Sequence, residues 1–359
     1  MSIHDLLRTD IAALQPYPPP PTLEMLQRRE GRTFAKLDAN ENPYGPSPRV
    51  YEALQHCNAW RYPDAACTEL RERLGEYLGT EPERIVCTVG GDEMIDLLTR
   101  LFLDPGDEMI DCTPAFLMYA ISGAVNRGNV VIVPRDETFA VDVQAVEGAV
   151  SDRTKMIFLC SPNNPTGNMT PDADIARLLE TGRILVLDEA YAEFSGHSLV
   201  HLAHRYPNLV ILRTMSKWAA LAGIRLGYAV VDPSLVAEFT KVKSPYNVSI
   251  AAQVAGVASL EDQAYLMGNV RSLIAERDRL TERLCALDFG RVYPSVTNFL
   301  YWKIPCDRAV TWRHELAERG VLIRALSDPA EALRFSVGLP ADSDLLLSAL
   351  EDVHAQLAG

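Results

Sequence analysis

Short apolar segments alternate with amphipathic ones through the middle of the chain. From about residue 84, seven runs are nearly continuous in apolar and β-branched residues, as strands covered on both faces of a sheet are. These runs are RIVCTV (84–89), EMIDC (108–112), NVVIVP (129–134), KMIFLC (155–160), ILVLDE (184–189), LVILR (209–213) and LGYAVV (226–231). Segments with helical periodicity, such as 92–102 and 171–182, lie between them. The alternation predicts an α/β fold around a mostly parallel seven-stranded sheet, with the last run antiparallel because a short link precedes it.

The pattern changes after about residue 245. A long helical region (about 250–288) precedes apolar runs at 298–304, 321–326 and 332–338, with helices near 307–319 and 341–357. This order predicts a smaller α+β domain. The proline-rich stretch PYPPPP (16–21) cannot be helical and predicts an extended N-terminal arm. The predicted organisation is therefore an arm (1–35) packing with the small domain, a large domain (36–245) and a small C-terminal domain (246–359).

Composition narrows the class of protein. A net charge of −14 over 359 residues argues against nucleic acid as a partner. No run reaches the roughly 20 apolar residues of a membrane span, and MSIHDLLRTD at the start lacks the apolar core of a signal peptide. Seven scattered cysteines without a C-x-x-C pair indicate reduced thiols in a cytoplasmic protein. No metal site is predicted.

Polar segments follow four of the predicted strands. They are Gly90-Gly91-Asp92-Glu93, SPNNPTG (161–167), Asp188-Glu189-Ala190-Tyr191 and Thr214-Met215-Ser216-Lys217. Each has a simpler explanation alone: a capped turn, a turn by composition, an acid capping the next element, or an exposed lysine. Because ligands of open parallel sheets bind at the carboxyl ends of strands, the four together predict one crevice.

The chemistry of these residues indicates the ligand. The start of a helix at Gly91 suits a phosphate, to which Ser216 and Arg225 add a hydroxyl and a fixed cation. A deep carboxylate, Asp188, suits a protonated ring nitrogen, and Lys217 can form a Schiff base with an aldehyde.

Two more side chains complete the set, since Tyr191 and Asn164 can hydrogen-bond a phenolic oxygen. An aldehyde, a phenolate, a pyridine nitrogen and a phosphate on one molecule describe pyridoxal 5′-phosphate.

These motifs resemble a known family. SPNNPTG, DEAY and TMSK, with an arginine eight residues after the lysine, resemble the fold-type-I, pyridoxal-phosphate-dependent aminotransferases. KLDANENPYGPSP (36–48), RYPD (61–64) and SPYNVS (244–249) are similar to their histidinol-phosphate aminotransferase branch. The resemblance covers the chain from about residue 10 to the C-terminus.

The resemblance implies a role for each candidate residue. Lys217 would be the Schiff-base lysine and general base. The backbone of Gly91 and Asp92 would contact the cofactor, and Phe116, where the family more often has tyrosine, would lie against its ring. Tyr62 would reach the cofactor of the other subunit in a homodimer. The other cofactor contacts would be Asn164, Asp188, Tyr191, Ser216 and Arg225. Substrate contacts would come from Tyr17, Asn42, Arg324 and Arg334.

The implied reaction transfers an amino group from histidinol phosphate to 2-oxoglutarate, giving imidazole acetol phosphate and glutamate, a step of histidine biosynthesis. Two alternatives share the cofactor motifs: an aminotransferase for aromatic or varied amino acids, and a decarboxylase of the threonine-phosphate type. A non-catalytic protein with a retained fold is disfavoured by the intact set of Lys217, Asp188 and Arg225.

Overall fold

Strands and helices alternate along the computed structural model, which describes residues 2–14, 16, 19, 21–304, 308–326 and 332–358. The strands are β1 (Ala35–Lys36), β2 (Ile85–Thr88), β3 (Glu108–Thr113), β4 (Asn129–Pro134), β5 (Thr154–Cys160), β6 (Ile184–Asp188), β7 (Leu209–Thr214), β8 (Gly227–Val230), β9 (Arg291–Val292), β10 (Phe299–Lys303), β11 (Val321–Leu322), β12 (Arg324–Ala325) and β13 (Ala332–Ser336). The α-helices are α1 (Thr9–Ala12), α2 (Leu23–Glu30), α3 (Pro48–Gln55), α4 (Thr68–Leu78), α5 (Gly90–Phe102), α6 (Met118–Val125), α7 (Val143–Ala149), α8 (Asp172–Leu179), α9 (Ala192–Ser195), α10 (Pro233–Val242), α11 (Ile250–Leu260), α12 (Gln263–Cys285), α13 (Ala309–Glu318) and α14 (Pro340–Ala358). Short 3₁₀ helices occur at Ile3–Leu6, Pro82–Arg84 and Val200–His204.

The large sheet has seven strands in the order β2-β8-β7-β6-β5-β3-β4. Neighbouring strands from β7 to β4 run parallel, whereas β8 is antiparallel to both β2 and β7. The predicted α/β fold, the seven strands and the reversed direction of the last strand are therefore confirmed.

Helices cover both faces of this sheet, which explains why its strands are nearly continuous in apolar residues. In β6, Leu185 and Leu187 pack in one apolar cluster, with residues of α4, α8 and α11. Val186 between them points to the opposite face and packs with α5 and α10. Successive side chains of a strand alternate between faces, so a sheet with two buried faces needs apolar residues at every position.

The small domain has its own apolar core. Strands β12-β13-β10-β9 form an antiparallel sheet, and β1 pairs in parallel with β11. The run 321–326, predicted as one segment, divides between these two sheets at Ile323. The predicted helical region 250–288 divides into α11 and α12. Because α11 packs on α3 and α4, the boundary proposed near residue 245 precedes a helix that lies on the large-domain core.

The N-terminal segment contacts both domains. Arg32 donates to the backbone oxygens of Glu318 and Ala317, in the small domain, at 2.6 and 3.1 Å. The arm (1–35) is predicted to pack with that domain; in addition, Arg8 donates to the backbone oxygen of Val125, in α6, at 2.9 Å. The helices of the described ranges include none with the length and apolar character that a membrane crossing requires.

Candidate active site

A cavity of about 440 Å³ opens at the carboxyl ends of the parallel strands. Most of the predicted cofactor contacts and one predicted substrate contact line it: Gly91, Asp92, Phe116, Asn164, Asp188, Tyr191, Ser216, Lys217, Arg225 and Arg334. The chain brings these residues together because the parallel strands all end at one edge of the sheet.

Lys217 follows the end of β7 and projects into this cavity. Its Nζ donates to the backbone oxygen of Ala39 at 3.2 Å. Burial, reinforced by the nearby charge of Arg334, lowers the pKa of Lys217 to about 8. A larger fraction of its amine is therefore uncharged near neutral pH than for an exposed lysine, as a nucleophile or general base requires.

Asp188 ends β6 at the floor of the cavity and is 5% exposed. Its Oδ1 accepts from the backbone N–H of Ala190 at 2.9 Å, and its Oδ2 accepts from the hydroxyl of Tyr119 at 2.6 Å. Burial raises the pKa of Asp188 to about 6, so the carboxylate is still mostly ionised at neutral pH. Tyr119 was not predicted from the sequence, although it lies three residues after Phe116.

Close backbone contacts shape the end of the cavity beside α5. Gly90 has φ +73°, and a Cβ on it would lie 2.7 Å from Nη2 of Arg225. A Cβ on Gly227 would lie 2.4 Å from the carbonyl carbon of Gly90. Arg225 Nη2 contacts Asp92 Oδ2 at 2.9 Å, with both side chains about half exposed. The two glycines thus let β8 and the arginine approach the first backbone N–H groups of α5, a suitable site for an anion.

Ser216 lies between this site and Lys217. Its backbone N–H donates to Oγ1 of Thr214 at 3.1 Å, and its hydroxyl accepts from the same threonine at 3.0 Å. Thr214, which belongs to one of the four segments predicted to form the crevice, also lines the cavity, although no separate role was predicted for it.

Side chains of both domains meet at the other end of the cavity. Arg334, from β13, donates to Oδ1 of Asn164 and to the backbone oxygen of Asp38, both at 2.8 Å. Tyr191 accepts at its hydroxyl from Nδ2 of Asn40 at 2.9 Å. The first of these bonds ties Asn164 to the small domain, and the last one fixes the hydroxyl of Tyr191 against Asn40.

Asn42, a predicted substrate contact, lines a second cavity that shares lining residues with the first, and its role stays a prediction. The Nδ2 of Asn42 donates to the backbone oxygen of Trp218 at 3.3 Å, and its Oδ1 accepts from the N–H of Tyr44 at 3.1 Å. Asn40 lines the first cavity. Its φ of +54° interrupts the extended backbone, so the side chains of 40 and 42 do not share one direction.

The remaining predicted residues lie elsewhere or outside the described ranges. Arg324 is the cross-strand neighbour of Arg334 and is not among the described residues that line the cavity. Tyr62 is 81% exposed and stacks on Tyr246 with ring centroids 4.6 Å apart, away from the cavity of its own chain. Tyr17 lies outside the residues that the structure describes.

Comparisons with known proteins agree with the geometry. The family model for class I and II aminotransferases matches residues 32–350. A protein named histidinol-phosphate aminotransferase from Roseiflexus castenholzii is 48% identical over 98% of this chain and 99% of its own length. A chloroplastic protein of that name from Nicotiana plumbaginifolia is 41% identical over 97% of this chain and 86% of its own length.

Solved structures are similar over almost the whole chain. The histidinol-phosphate aminotransferase of Sinorhizobium meliloti, in complex with pyridoxal-5′-phosphate, superposes with a TM-score of 0.88 at 27% identity, covering 98% of both chains. The aspartate aminotransferase of Thermus thermophilus with maleate gives a TM-score of 0.82 at 26% identity, covering 96% of this chain and 98% of that one. The family resemblance drawn from the motifs is confirmed.

Proposed function

Because the chain belongs to the class I and II aminotransferases and, within them, to the histidinol-phosphate aminotransferases, we propose that it transfers the amino group of histidinol phosphate to 2-oxoglutarate. The products are imidazole acetol phosphate and glutamate, and pyridoxal phosphate is the cofactor. One observation carries the proposal: Lys217, Asp188 and Arg225, from three neighbouring strand ends, line a single cavity.

The cavity fits pyridoxal phosphate in volume and in the order of its groups. Its volume of about 440 Å³ falls within the usual range for small-molecule sites. The buried carboxylate of Asp188 suits a protonated ring nitrogen, and the opening of α5 beside Arg225 suits a phosphate. The glycines at 90 and 227 keep this anion site open, since a Cβ at either position would collide with it.

The cofactor supplies an aldehyde that takes up the amino group and a ring that accepts electrons. In our proposal the Asp188 carboxylate pairs with the ring nitrogen and keeps that nitrogen protonated. The other contacts are Gly91, Asp92, Ser216 and Arg225 for the phosphate, Asn164 and Tyr191 for the ring oxygen, and Phe116 for the ring face.

Lys217 is our candidate for the general base. Its lowered pKa of about 8 leaves part of the amine uncharged at neutral pH. That amine can remove the proton from the carbon that bears the amino group of the donor. The second substrate, 2-oxoglutarate, then takes the amino group in the reverse direction, which gives ping-pong kinetics.

The donor's phosphate is assigned to a pair of arginines in the small domain. Arg324 of β12 lies directly opposite Arg334 of β13. Directly paired residues of an antiparallel sheet project from the same face with Cβ atoms about 5 Å apart. Two arginines on one face can neutralise a phosphate dianion, whereas one arginine suffices for a carboxylate. Arg334 lines the cavity and Arg324 is its cross-strand neighbour outside the lining, which supports a proposed phosphate site at this edge of the cavity.

The test compares donors with and without the phosphate. Arg324→Ala should reduce kcat/KM for histidinol phosphate by a factor that corresponds to a loss of roughly 1.5–3 kcal/mol of transition-state binding. This is the value of a hydrogen bond to a charged group. It should barely change kcat/KM for histidinol. Arg319→Ala, which removes an arginine paired with Glu315 on α13, is the matched control and should affect neither donor. Equal loss with both donors would contradict the assignment.

Carbon dioxide release, measured against glutamate formation, separates this function from the decarboxylase alternative. Release of carbon dioxide without glutamate would overturn the proposal.

We also propose a cytoplasmic homodimer in which Tyr62 serves the partner's cofactor. Tyr62 and Tyr246 form a stacked, exposed pair of rings, and neither is among the described residues that line the cavity of their own chain. An exposed aromatic pair of this kind is typical of an interface.

The six cysteines in the described part of the chain are all unpaired, as expected for a reducing compartment.

Mixed dimers test the shared site. A dimer of one Lys217→Ala subunit and one Tyr62→Phe subunit should place both defects in one site and leave the other intact. Its activity should approach that of one normal site, above either parental homodimer. Activity no higher than that of the homodimers would exclude the shared site.

A further inference from the structure

Tyr119 is a fully buried side chain that contacts Asp188 and Phe116 of the cavity lining and that the proposed roles do not use. Its hydroxyl donates to Asp188 Oδ2 at 2.6 Å. Its ring stacks on Phe158 with centroids 4.8 Å apart and meets the edge of Phe116 at 5.7 Å. Because these contacts fix the ring, they also fix the position of its hydroxyl oxygen beside Asp188.

The carboxylate of Asp188 is therefore held at both oxygens. The N–H of Ala190 donates to Oδ1 at 2.9 Å, and Tyr119 donates to Oδ2. One donor comes from the loop that follows β6, and the other comes from α6, a separate element of the fold. Two fixed donors define the plane of a carboxylate, while lone pairs remain for a ligand in the cavity.

The same two bonds also act on the charge of Asp188. Burial is the main effect and raises its pKa, and the neighbouring carboxylates Asp92 and Glu189 act in the same direction. The bonds from Tyr119 and from the N–H of Ala190 lower that pKa, because both donate to the ionised form.

We propose that Tyr119 is a positioning residue, which holds the Asp188 carboxylate in the orientation and charge state that the cofactor's ring nitrogen requires. This inference rests on the proposed binding of pyridoxal phosphate in the cavity. Tyr119 acts through Asp188, and its effect should depend on whether the cofactor has a ring nitrogen at all.

The test compares two cofactors on two variants. Tyr119→Phe keeps the ring packing and removes the hydroxyl. It should weaken binding of pyridoxal phosphate to the cofactor-free dimer roughly tenfold or more, since a hydrogen bond to a charged group is lost. An analogue with carbon in place of the ring nitrogen should bind both proteins within about twofold, because nothing in it pairs with Asp188.

The matched control is Tyr228→Phe. Tyr228 is also fully buried, its hydroxyl has no hydrogen-bond partner among the described residues, and it does not line the cavity. This variant should bind both cofactors like the wild type. Equal weakening of both cofactors by Tyr119→Phe would mean that Tyr119 only supports the fold, and the proposal would be overturned.

A second perturbation has the opposite sign and keeps the hydroxyl. Incorporation of 3-fluorotyrosine at position 119 makes the hydroxyl a stronger donor and should tighten binding of pyridoxal phosphate relative to the analogue. An unchanged ratio would also overturn the proposal. If the wild type itself failed to bind pyridoxal phosphate, the proposed function would fail instead, so the two failures are distinguishable.

Discussion

Replacing Asp188 with asparagine should change how the stability of the cofactor-free protein depends on pH. The carboxyl group is 5% exposed and has a pKa of about 6, against an ordinary value of 3.8, because burial disfavours its charge. Asparagine has nearly the same shape and does not ionise. The comparison therefore isolates the free energy that the buried charge removes from the folded state.

The expected magnitude follows from the size of the pKa shift. A difference of about 2 units, from 3.8 to about 6, corresponds to about 3 kcal/mol at 1.36 kcal/mol per unit. The folded protein keeps this proton to higher pH than the unfolded chain does. The wild type should thus lose up to about 3 kcal/mol relative to Asp188→Asn as pH rises from about 4 to about 6, with no further change above that range.

The amide adds an effect that does not vary with pH. The N–H of Ala190 donates to Oδ1 of Asp188, and Tyr119 donates to Oδ2. An amide group offers one acceptor oxygen, so one donor loses its partner, at a cost of about 1–3 kcal/mol. The diagnostic quantity is therefore the slope of the stability difference against pH and not its absolute value.

Urea unfolding of both cofactor-free proteins across this pH range supplies the measurement. Subtracting the two curves cancels the titration of all shared carboxylates. Asp111→Asn is the control, because Asp111 is 2% exposed and lies outside the cavity lining. Burial raises the pKa of Asp111 to about 7. The stability difference between the wild type and Asp111→Asn should therefore keep changing to a higher pH than the difference for Asp188→Asn. A flat difference for Asp188 between about pH 4 and 6 would refute the reasoning.

Two further predictions concern the residues around the end of β7. Lys217→Ala should abolish transamination but leave the circular dichroism spectrum intact. The wild-type apoenzyme should take up cofactor faster as pH rises through about 8, because the amine of Lys217 loses its proton there. More than trace activity in the variant, or an uptake rate independent of pH, would contradict the role of Lys217. Arg213→Met should lower the free energy of unfolding by about 3–5 kcal/mol, since Arg213 forms buried ion pairs with Glu189 and Glu193 at 2.9 and 2.7 Å. Arg177→Met, at an exposed ion pair, should change it by about 1 kcal/mol or less, and similar losses in the two variants would contradict the prediction.

The large sheet and the residues at its strand ends were predictable from sequence for one physical reason. A parallel sheet buried on both faces needs continuous apolar runs, and these mark its strands without any knowledge of topology. Parallel strands also end at the same edge, so Asn164, Asp188 and Lys217 fall together once the strands are assigned. The reversed strand β8 followed from the short link before it.

Contacts that depend on local backbone angles or on helix placement were not predictable. Asn40 and Asn42 are equivalent by pattern, but the backbone at Asn40 has a positive φ, and the two side chains line different cavities. Tyr119 reaches Asp188 from a helix that follows β3, although β5 lies between β3 and β6 in the sheet. No periodicity in the sequence encodes how far that helix extends across the sheet.

The cofactor site and the donor site therefore differ in what the sequence reveals about them. The cofactor groups come from one sheet, and many reactions share such groups, so they identify a class of chemistry and not a substrate. In our proposal the choice of donor depends on the small domain, where the run 321–326 divides between two sheets. Because side chains alternate along a strand, a slip of one residue in β12 would turn Arg324 to the face opposite Arg334. The proposed recognition of a phosphate by this pair therefore requires the observed register of one two-residue strand, and Arg324→Ala tests the proposal at that point.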